Sequence, residues 1–308
     1  MSRWPSEMGS RAGALLRRLA GREAVHTLYT DGAAVWAWEP RSYEDEAPPP
    51  SPPQRHASLA AWCEAHPRHA ARVFLSNTLL HTLVCEPALP LDDEESLIAY
   101  VRHQFAHYHG MGSQHWPLAP WSESGQRGAC ALHGFAVGPA PAAAGAHRVR
   151  WKTIAPLWVH AVYAAVQQVP ALNRVAQGAI GVVEGAQVTW LRIGAGRVHK
   201  IEQRYAESAE AQAVDELIAS LAQESGLGED KPFVLGHGVE GALERGAWSA
   251  HLIGRLDAPH PDTAWMTADW RYSLGASRWP RPSFVATPQR APALAWALAG
   301  CAALMLGV

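Results

Sequence analysis

The C-terminal stretch 291–308 constrains this chain more than any other part of the sequence. It contains no charged residue. At a rise of about 1.5 Å per residue, a helix of this length extends about 27 Å, which reaches across the hydrocarbon core of a bilayer. The stretch therefore predicts a single membrane-spanning helix that anchors everything before it. The alternative is a soluble protein whose terminal helix packs against its own body.

Basic residues before this stretch indicate how the span is oriented. Arg271, Arg278, Arg281 and Arg290 precede it, and no Asp or Glu follows Asp269. Positively charged flanks remain on the cytoplasmic side of a membrane. We therefore expect the N-terminal body to lie in the cytoplasm.

Composition and short motifs exclude several other classes of protein. A net charge of -2 gives no electrostatic reason to expect nucleic acid as a partner. The four cysteines share no short spacing, which is typical of unpaired thiols in a reducing compartment. No dinucleotide-binding or P-loop glycine motif occurs. His103 and His107 have the i, i+4 spacing of metal ligands, but nothing nearby completes a ligand set, so no metal site is predicted.

The two halves of the chain show the same order of predicted elements. In the first half, strand-like runs at 24–29 and 33–38 flank Asp31-Gly32, and a helix opens at the acidic run 92–95. In the second half, strands at 179–183, 187–193 and 197–203 are joined by glycine turns and followed by an amphipathic helix, 208–224. A short strand then runs into Gly236-His237-Gly238. The proline-rich run 44–54 is predicted to be a loop.

This order resembles the cytoplasmic actin-like domain of the type II secretion L protein and the type IV pilus M protein. The residues that carry the resemblance are 72–109, which give a strand, a second strand ending in Leu89-Pro90-Leu91, and an acidic-started helix. The stretch 152–161 resembles the crossing into the second lobe. An Arg- and Pro-rich connection into one membrane helix, as at 278–291, is also similar to the L protein.

The resemblance implies an α/β, bilobal actin-like (ASKHA/RNase H-like) fold of two mixed-sheet lobes plus one C-terminal transmembrane helix. We expect five parts along the chain. They are an N-terminal basic segment (1–23), a first lobe (24–155) with a subdomain inserted at about 70–150, a second lobe (156–277), an Arg/Pro linker (278–290) and the membrane span (291–308).

An actin-like fold would hold nucleotide phosphates between its lobes, with glycine turns approaching the phosphates and an acid holding Mg²⁺. The corresponding positions are Asp31 and Gly32, Glu184 and Gly185, and Gly236 and Gly238, with ATP as the candidate cofactor. The hydroxyl residue that should follow the first turn is missing, because Ala33 and Ala34 stand there. The alternative is that the Asp-Gly and Glu-Gly pairs are type I′ turns without a ligand.

The resemblance favours a non-catalytic scaffold in the inner membrane that links a cytoplasmic motor ATPase to platform proteins of a type II secretion system or type IV pilus. Its expected partners are that ATPase, inner-membrane platform proteins, membrane lipid and a second copy of the chain as a homodimer. An ATP-binding enzyme of the actin superfamily, either an ATPase or a small-molecule kinase, is the alternative function.

Overall fold

The computed structural model describes residues 25–40, 52–123, 125–133, 149–227, 232–239, 249–256, 264–267 and 279–285. In the first half the elements are β1 (Val25–Thr30), β2 (Val35–Trp38), β3 (Gln54–His56), α1 (Leu59–Ala65), β4 (Ala70–Leu75), β5 (Leu80–Val84), α2 (Glu94–His109), β6 (Leu118–Glu123), β7 (Gln126–Leu132) and β8 (Arg150–Pro156). In the second half they are α3 (Leu157–Gln168), β9 (Gly178–Glu184), β10 (Gln187–Gly194), β11 (Arg197–Tyr205), α4 (Ala211–Glu224), β12 (Phe233–His237), β13 (Ser249–Ile253) and α5 (Ala264–Thr267).

Two five-stranded sheets have the same topology. The first has the order β3-β2-β1-β4-β8 and the second the order β11-β10-β9-β12-β13. In each sheet the first three strands of the order are antiparallel, and the remaining two extend the sheet in parallel. The predicted α/β fold of two mixed-sheet lobes is therefore confirmed, and the duplication agrees with the actin-like architecture.

A separate small sheet lies between β4 and β8 along the chain. It has the order β5-β7-β6 and packs its apolar face against α2. Asp93 starts α2 with a capping box, in which its carboxylate accepts a 2.7 Å hydrogen bond from the backbone N–H of Ser96. Because β4 and β8 belong to the first large sheet, the inserted part is narrower than the predicted 70–150.

Helix α3 lies in the largest core of the molecule. Every residue from Leu157 to Val166 is buried, including His160. The helix shares one apolar cluster with Phe74 of the first sheet and with Ile180 and Leu191 of the second. It can be apolar on all sides because both lobes cover it.

The C-terminal segment 279–285 is packed on this body. Trp279 is 1% exposed, and its indole N–H donates to the Asn173 side chain at 2.8 Å. The guanidinium of Arg281 donates to the Tyr163 hydroxyl at 2.7 Å, and the Phe284 N–H donates to the Ile154 carbonyl at 2.7 Å. This part of the predicted linker is therefore attached along its length to α3 and β8.

No helix in the described ranges is long and apolar enough to cross a membrane. The predicted span 291–308 and the predicted basic segment 1–23 both lie outside those ranges, so both stay predictions.

Candidate functional site

The first predicted turn, Asp31-Gly32, connects β1 to β2 and is closed by its own side chains. Asp31 Oδ1 accepts hydrogen bonds from the N–H groups of Ala33 at 2.9 Å and Ala34 at 3.0 Å. The Thr30 hydroxyl accepts from the Gly32 N–H at 3.1 Å and donates to the Ala34 carbonyl at 2.7 Å. One oxygen of the acid expected near Mg²⁺ is thus committed to its own loop.

The expectation of type I′ turns at Asp31-Gly32 and Glu184-Gly185 is wrong. A type I′ turn needs positive φ at both central residues. Gly32 has a φ of 89° and Gly185 of 62°, but among the described residues only Arg68 and Ala195 combine a positive φ with a side chain. The type I′ geometry occurs instead at Ala195-Gly196, between β10 and β11, where φ is 51° and 74°.

Glu184, at the end of β9, is buried and bonded to the other lobe. The Tyr29 hydroxyl of β1 donates to Glu184 Oε1 at 2.8 Å, and the Asn77 N–H donates to Oε2 at 3.0 Å. Asn77 in turn accepts a 3.1 Å hydrogen bond from the Trp158 N–H at the start of α3. We call the contacts of Glu184 with Tyr29 and Asn77 the Glu184 bridge. The bridge joins the two lobes at the base of the space between them.

Burial sets the electrostatics of the Glu184 bridge. It raises the pKa of Glu184, while hydrogen bonds from Ser76, Tyr29 and Asn77 act to lower it. It also raises the pKa of Tyr29 well above its usual range, and the negative charge of Glu184 adds to that rise. Tyr29 is therefore a neutral donor at physiological pH.

The other predicted glycines, Gly185, Gly236 and Gly238, mainly allow neighbouring backbone segments to pack closely. The Gly185 N–H donates to the His237 carbonyl at 2.9 Å. A Cβ at Gly238, whose φ is 83°, would lie 2.9 Å from the Gly185 nitrogen. A Cβ at Gly236 would lie 2.0 Å from the Val183 carbonyl oxygen. These two glycines therefore let β12 and the chain after it approach β9 closely.

A cavity of about 520 Å³, which we call the interlobe cleft, opens above the Glu184 bridge. Of the predicted positions, Asp31, Glu184, Gly185 and Gly238 line it, whereas Gly32 and Gly236 do not. Its other lining residues are Tyr29, Trp36, Arg55, Ser76, Thr78, His237, Gly254, Arg255 and Leu256.

Tyr29, Arg55 and Arg255 of this set were missed from the sequence. No local sequence pattern indicates that these residues line a cleft. Arg55 lies in a short strand after the proline-rich run, and the hydrogen-bond partner of Tyr29 is 155 positions away.

His237 is neutral in the interlobe cleft. Burial lowers its pKa to about 4, and the negative charge of Asp31 acts in the opposite direction. Its ring meets that of Tyr29 edge to face, with centroids 5.0 Å apart.

Glu184 is not arranged as a ligand of a Mg²⁺–phosphate site. An acidic side chain that holds Mg²⁺ does so as an ionised carboxylate with an oxygen facing the ion or its bound water. Both oxygens of Glu184 are bonded to the first lobe, and its burial disfavours the charged form. Within the described part of the chain, no group of three His, Cys, Asp or Glu side chains is placed to hold a metal ion.

Comparisons with known proteins give structural matches only. No protein-family model matches the chain, and no curated protein sequence matches it. A solved structure similar to it is the cytoplasmic domain of EpsL, an inner-membrane component of the type II secretion system of Vibrio cholerae, at 14% identity and a TM-score of 0.45. That match covers 76% of this chain and 91% of the EpsL domain.

Two further solved structures are similar to the chain. One is a Bacteroides thetaiotaomicron protein with an actin-like ATPase fold, at 7% identity and a TM-score of 0.47, covering 82% of this chain and 98% of the other. The second is the PilM–PilN type IV pilus biogenesis complex, at 11% identity and a TM-score of 0.44, covering 69% and 81%. The structures similar to this chain thus include components of both type II secretion and type IV pilus machines, the two groups indicated by the sequence resemblance.

Proposed function

We propose that this chain is a non-catalytic scaffold of a type II secretion or type IV pilus inner-membrane platform, and that it links a cytoplasmic motor ATPase to membrane components. The observation that carries the proposal is the Glu184 bridge. It commits both oxygens of the second-lobe acid to Tyr29 and Asn77, where a nucleotide hydrolase would need them for a hydrated metal ion.

Further polar contacts hold the lobes in one arrangement. Buried Gln126 of the inserted sheet accepts a 2.7 Å hydrogen bond from the Val198 N–H of β11. The Gln203 amide of β11 donates to the carbonyls of Asn77 at 2.6 Å and Leu80 at 3.0 Å. A body joined at several places suits a scaffold, whose partners require a surface of constant shape, better than an enzyme that must open and close around a substrate.

The membrane anchor belongs to the same proposal. The uncharged stretch 291–308 supports it, as do the arginines before that stretch and the packed C-terminal segment, which brings the chain to within a few residues of it. Anchoring raises the effective concentration of the body near other membrane components. We place the protein in the inner membrane as a single-pass protein with its body in the cytoplasm.

Fractionation of cells that express the full chain tests the anchor. We expect it in the membrane fraction, with the body protected from protease added on the periplasmic side. A double variant, Leu298→Lys with Leu304→Lys, should move to the soluble fraction, because a Lys costs about 3 kcal/mol near the middle of a span, where Leu298 lies, and a second Lys nearer its end adds to that cost. The matched control, with Ala at both positions, should remain in the membrane. Recovery of wild type in the soluble fraction would contradict the anchor.

Cross-linking of the full chain in intact membranes, followed by identification of the captured proteins by mass, tests the scaffold role. We expect a motor ATPase and platform proteins of one secretion or pilus machine. The capture of neither would contradict the proposal.

An ATP-binding protein is the second candidate, because the interlobe cleft has a volume typical of ligand sites and carries Arg55 and Arg255. Titration of the full chain with ATP, together with a turnover assay, separates the two functions. Mg²⁺-dependent turnover that Asp31→Ala abolishes would replace the scaffold with the enzyme.

A further inference from the structure

The β10–β11 hairpin carries an irregularity at the end of the second sheet that is remote from the interlobe cleft. Arg192 pairs with Lys200, but the next residue, Ile193, pairs with Val198. His199 is therefore the extra residue of a β-bulge, and the bulge brings His199 and Lys200 together beside Arg192. Bulges that redirect side chains in this way are over-represented next to functional sites.

These three basic residues line a cavity of about 450 Å³, which we call the basic pocket. Its other lining residues are Ala176, Gln177 and Ile193, so no acid of the described ranges lines it. The Glu184–Gly185 turn lies at the opposite end of β10, since Glu184 pairs with Gln187 at the start of that strand. The basic pocket is thus separate from the interlobe cleft.

Arg192 has no counter-ion among the described residues of this surface. Its side chain is half-buried, and within the described ranges it makes neither an ion pair nor a hydrogen bond. The nearby acid, Glu202, is already shared between Lys200 at 2.7 Å and Arg204 at 3.4 Å. The Arg192 guanidinium stands directly across from Lys200, and an anion bound between them would offset the repulsion of the two like charges.

Two of the lining side chains, Gln177 and Lys200, make hydrogen bonds that leave further donors available. Gln177 donates one amide proton to the Ser225 carbonyl at 2.5 Å, and its second amide proton remains. Lys200 has three ammonium protons, of which Glu202 takes one. The His199 ring nitrogen Nε2 lies 3.3 Å from the Gly194 carbonyl oxygen. The ring packs against Gly194 so closely that a Cβ at that glycine would lie 3.0 Å from Nε2.

We propose that the basic pocket binds a phosphate group. A phosphate offers several oxygens to donors that converge from different directions, and the planar fork of an arginine matches two of them. The group can come from a small phosphorylated solute or from the headgroup of an anionic phospholipid. The two sources share the same chemistry at Arg192 and Lys200.

Titration calorimetry on the detergent-solubilised full chain, at constant ionic strength, tests the proposal. The probes are inorganic phosphate and short-chain dihexanoyl phosphatidic acid, with dihexanoyl phosphatidylcholine as the uncharged comparison. Saturable binding of phosphate indicates a solute site, and binding of phosphatidic acid alone indicates a lipid headgroup. Saturation by neither overturns the proposal.

Variants connect the binding to the pocket. Arg192→Gln should weaken binding about tenfold or more, since a charge-assisted pair is lost. Lys200→Gln should weaken it as well. The control Arg204→Gln removes the same charge from the same strand outside the pocket; because Arg204 shares Glu202 with Lys200, a small effect is expected, much less than that of Arg192→Gln. Equal affinities for wild type and Arg192→Gln would overturn the proposal. If circular dichroism shows that Arg192→Gln is not folded, the phosphate affinities of Lys200→Gln and Arg192→Lys test the proposal in the same assay.

Discussion

The two acidic turns that face the interlobe cleft have similar sequences and different structures. Asp31 of the first lobe is partly exposed and bonds to backbone within its own loop. Glu184 of the second lobe is 8% exposed and bonds to residues 155 and 107 positions away. An acid followed by glycine thus makes a local turn in one lobe and a contact between lobes in the other. The contact between lobes forms where the acid lies at a buried strand end, and the local turn forms where the acid is partly exposed.

Glu184→Ala should produce the largest effect, because Tyr29 and Asn77 both lose their acceptor inside the protein. We expect a loss of about 3 kcal/mol in the free energy of unfolding, measured by urea denaturation. Tyr29→Phe, which removes one hydrogen bond and retains the ring, should cost about half as much. If Glu184→Ala lowers the free energy of unfolding no more than Asp31→Ala does, the two turns do not differ in how much they stabilise the protein.

Gly238→Ala tests whether close backbone contact supports the Glu184 turn. The residue has a φ of 83°, and its new Cβ would lie 2.9 Å from the Gly185 nitrogen. We expect a loss of about 2 kcal/mol in unfolding free energy. Gly112→Ala is the matched control, since no atom lies within 4 Å of its Cβ, and it should have almost no effect. Similar losses of unfolding free energy for the two variants would show that the backbone contact between Gly238 and Gly185 is not close.

His237 predicts a pH dependence that involves both turns. Its pKa is lowered from 6.5 to about 4 in the folded protein. Between those values the unfolded chain binds the proton and the folded chain does not, so stability is lost as pH falls from 6.5 towards 4. His237→Phe removes this contribution. The stability of wild type relative to the variant should fall by roughly 1 to 2 kcal/mol across that window, a value reduced because the ring is only half-buried.

Denaturation curves of wild type and His237→Phe at several pH values measure this difference. A constant difference across the window would mean that the ring is accessible to protons in the folded protein. Glu184 acts with the opposite sign, because its raised pKa costs stability as pH rises above its ordinary value of 4.5.

Asp31→Ala should have the smallest effect of the series. It removes two hydrogen bonds in a partly exposed loop, and we expect a loss of about 0.5 to 1 kcal/mol by the same urea method. Asp31→Asn retains the accepting oxygen and should be close to wild type. A loss as large as that of Glu184→Ala would show that the first turn also supports the contact between lobes.

Local patterns in the sequence were sufficient for most of the fold. The β1–β2 hairpin, helix α2 and the three strands of the second lobe were predicted because turn residues, caps and apolar periodicity all lie within a few positions of one another. Strand β6 was missed because Pro120 interrupts its pattern, which an edge strand tolerates. Strand β3 was missed because its residues are polar.

The candidate site was less predictable for a different reason. The sequence identified Glu184 and Gly185 as a turn, but it gave no sign of Tyr29 or Asn77 as partners. Long-range pairs of this kind depend on how the sheets meet. The bulge at His199 was also missed, since a single extra residue in a regular strand leaves no compositional signal.

The packed C-terminal segment has a mechanical consequence. Tension applied to the chain beyond Val285 would first reach the bond between the Phe284 N–H and the Ile154 carbonyl, and then the contacts of Arg281 and Trp279 with Tyr163 and Asn173. Because these attachments follow one another along the segment, they would share a pull applied along it, whereas a pull away from the surface would detach them one at a time. The direction of force on the tail would thus determine how firmly the body resists it.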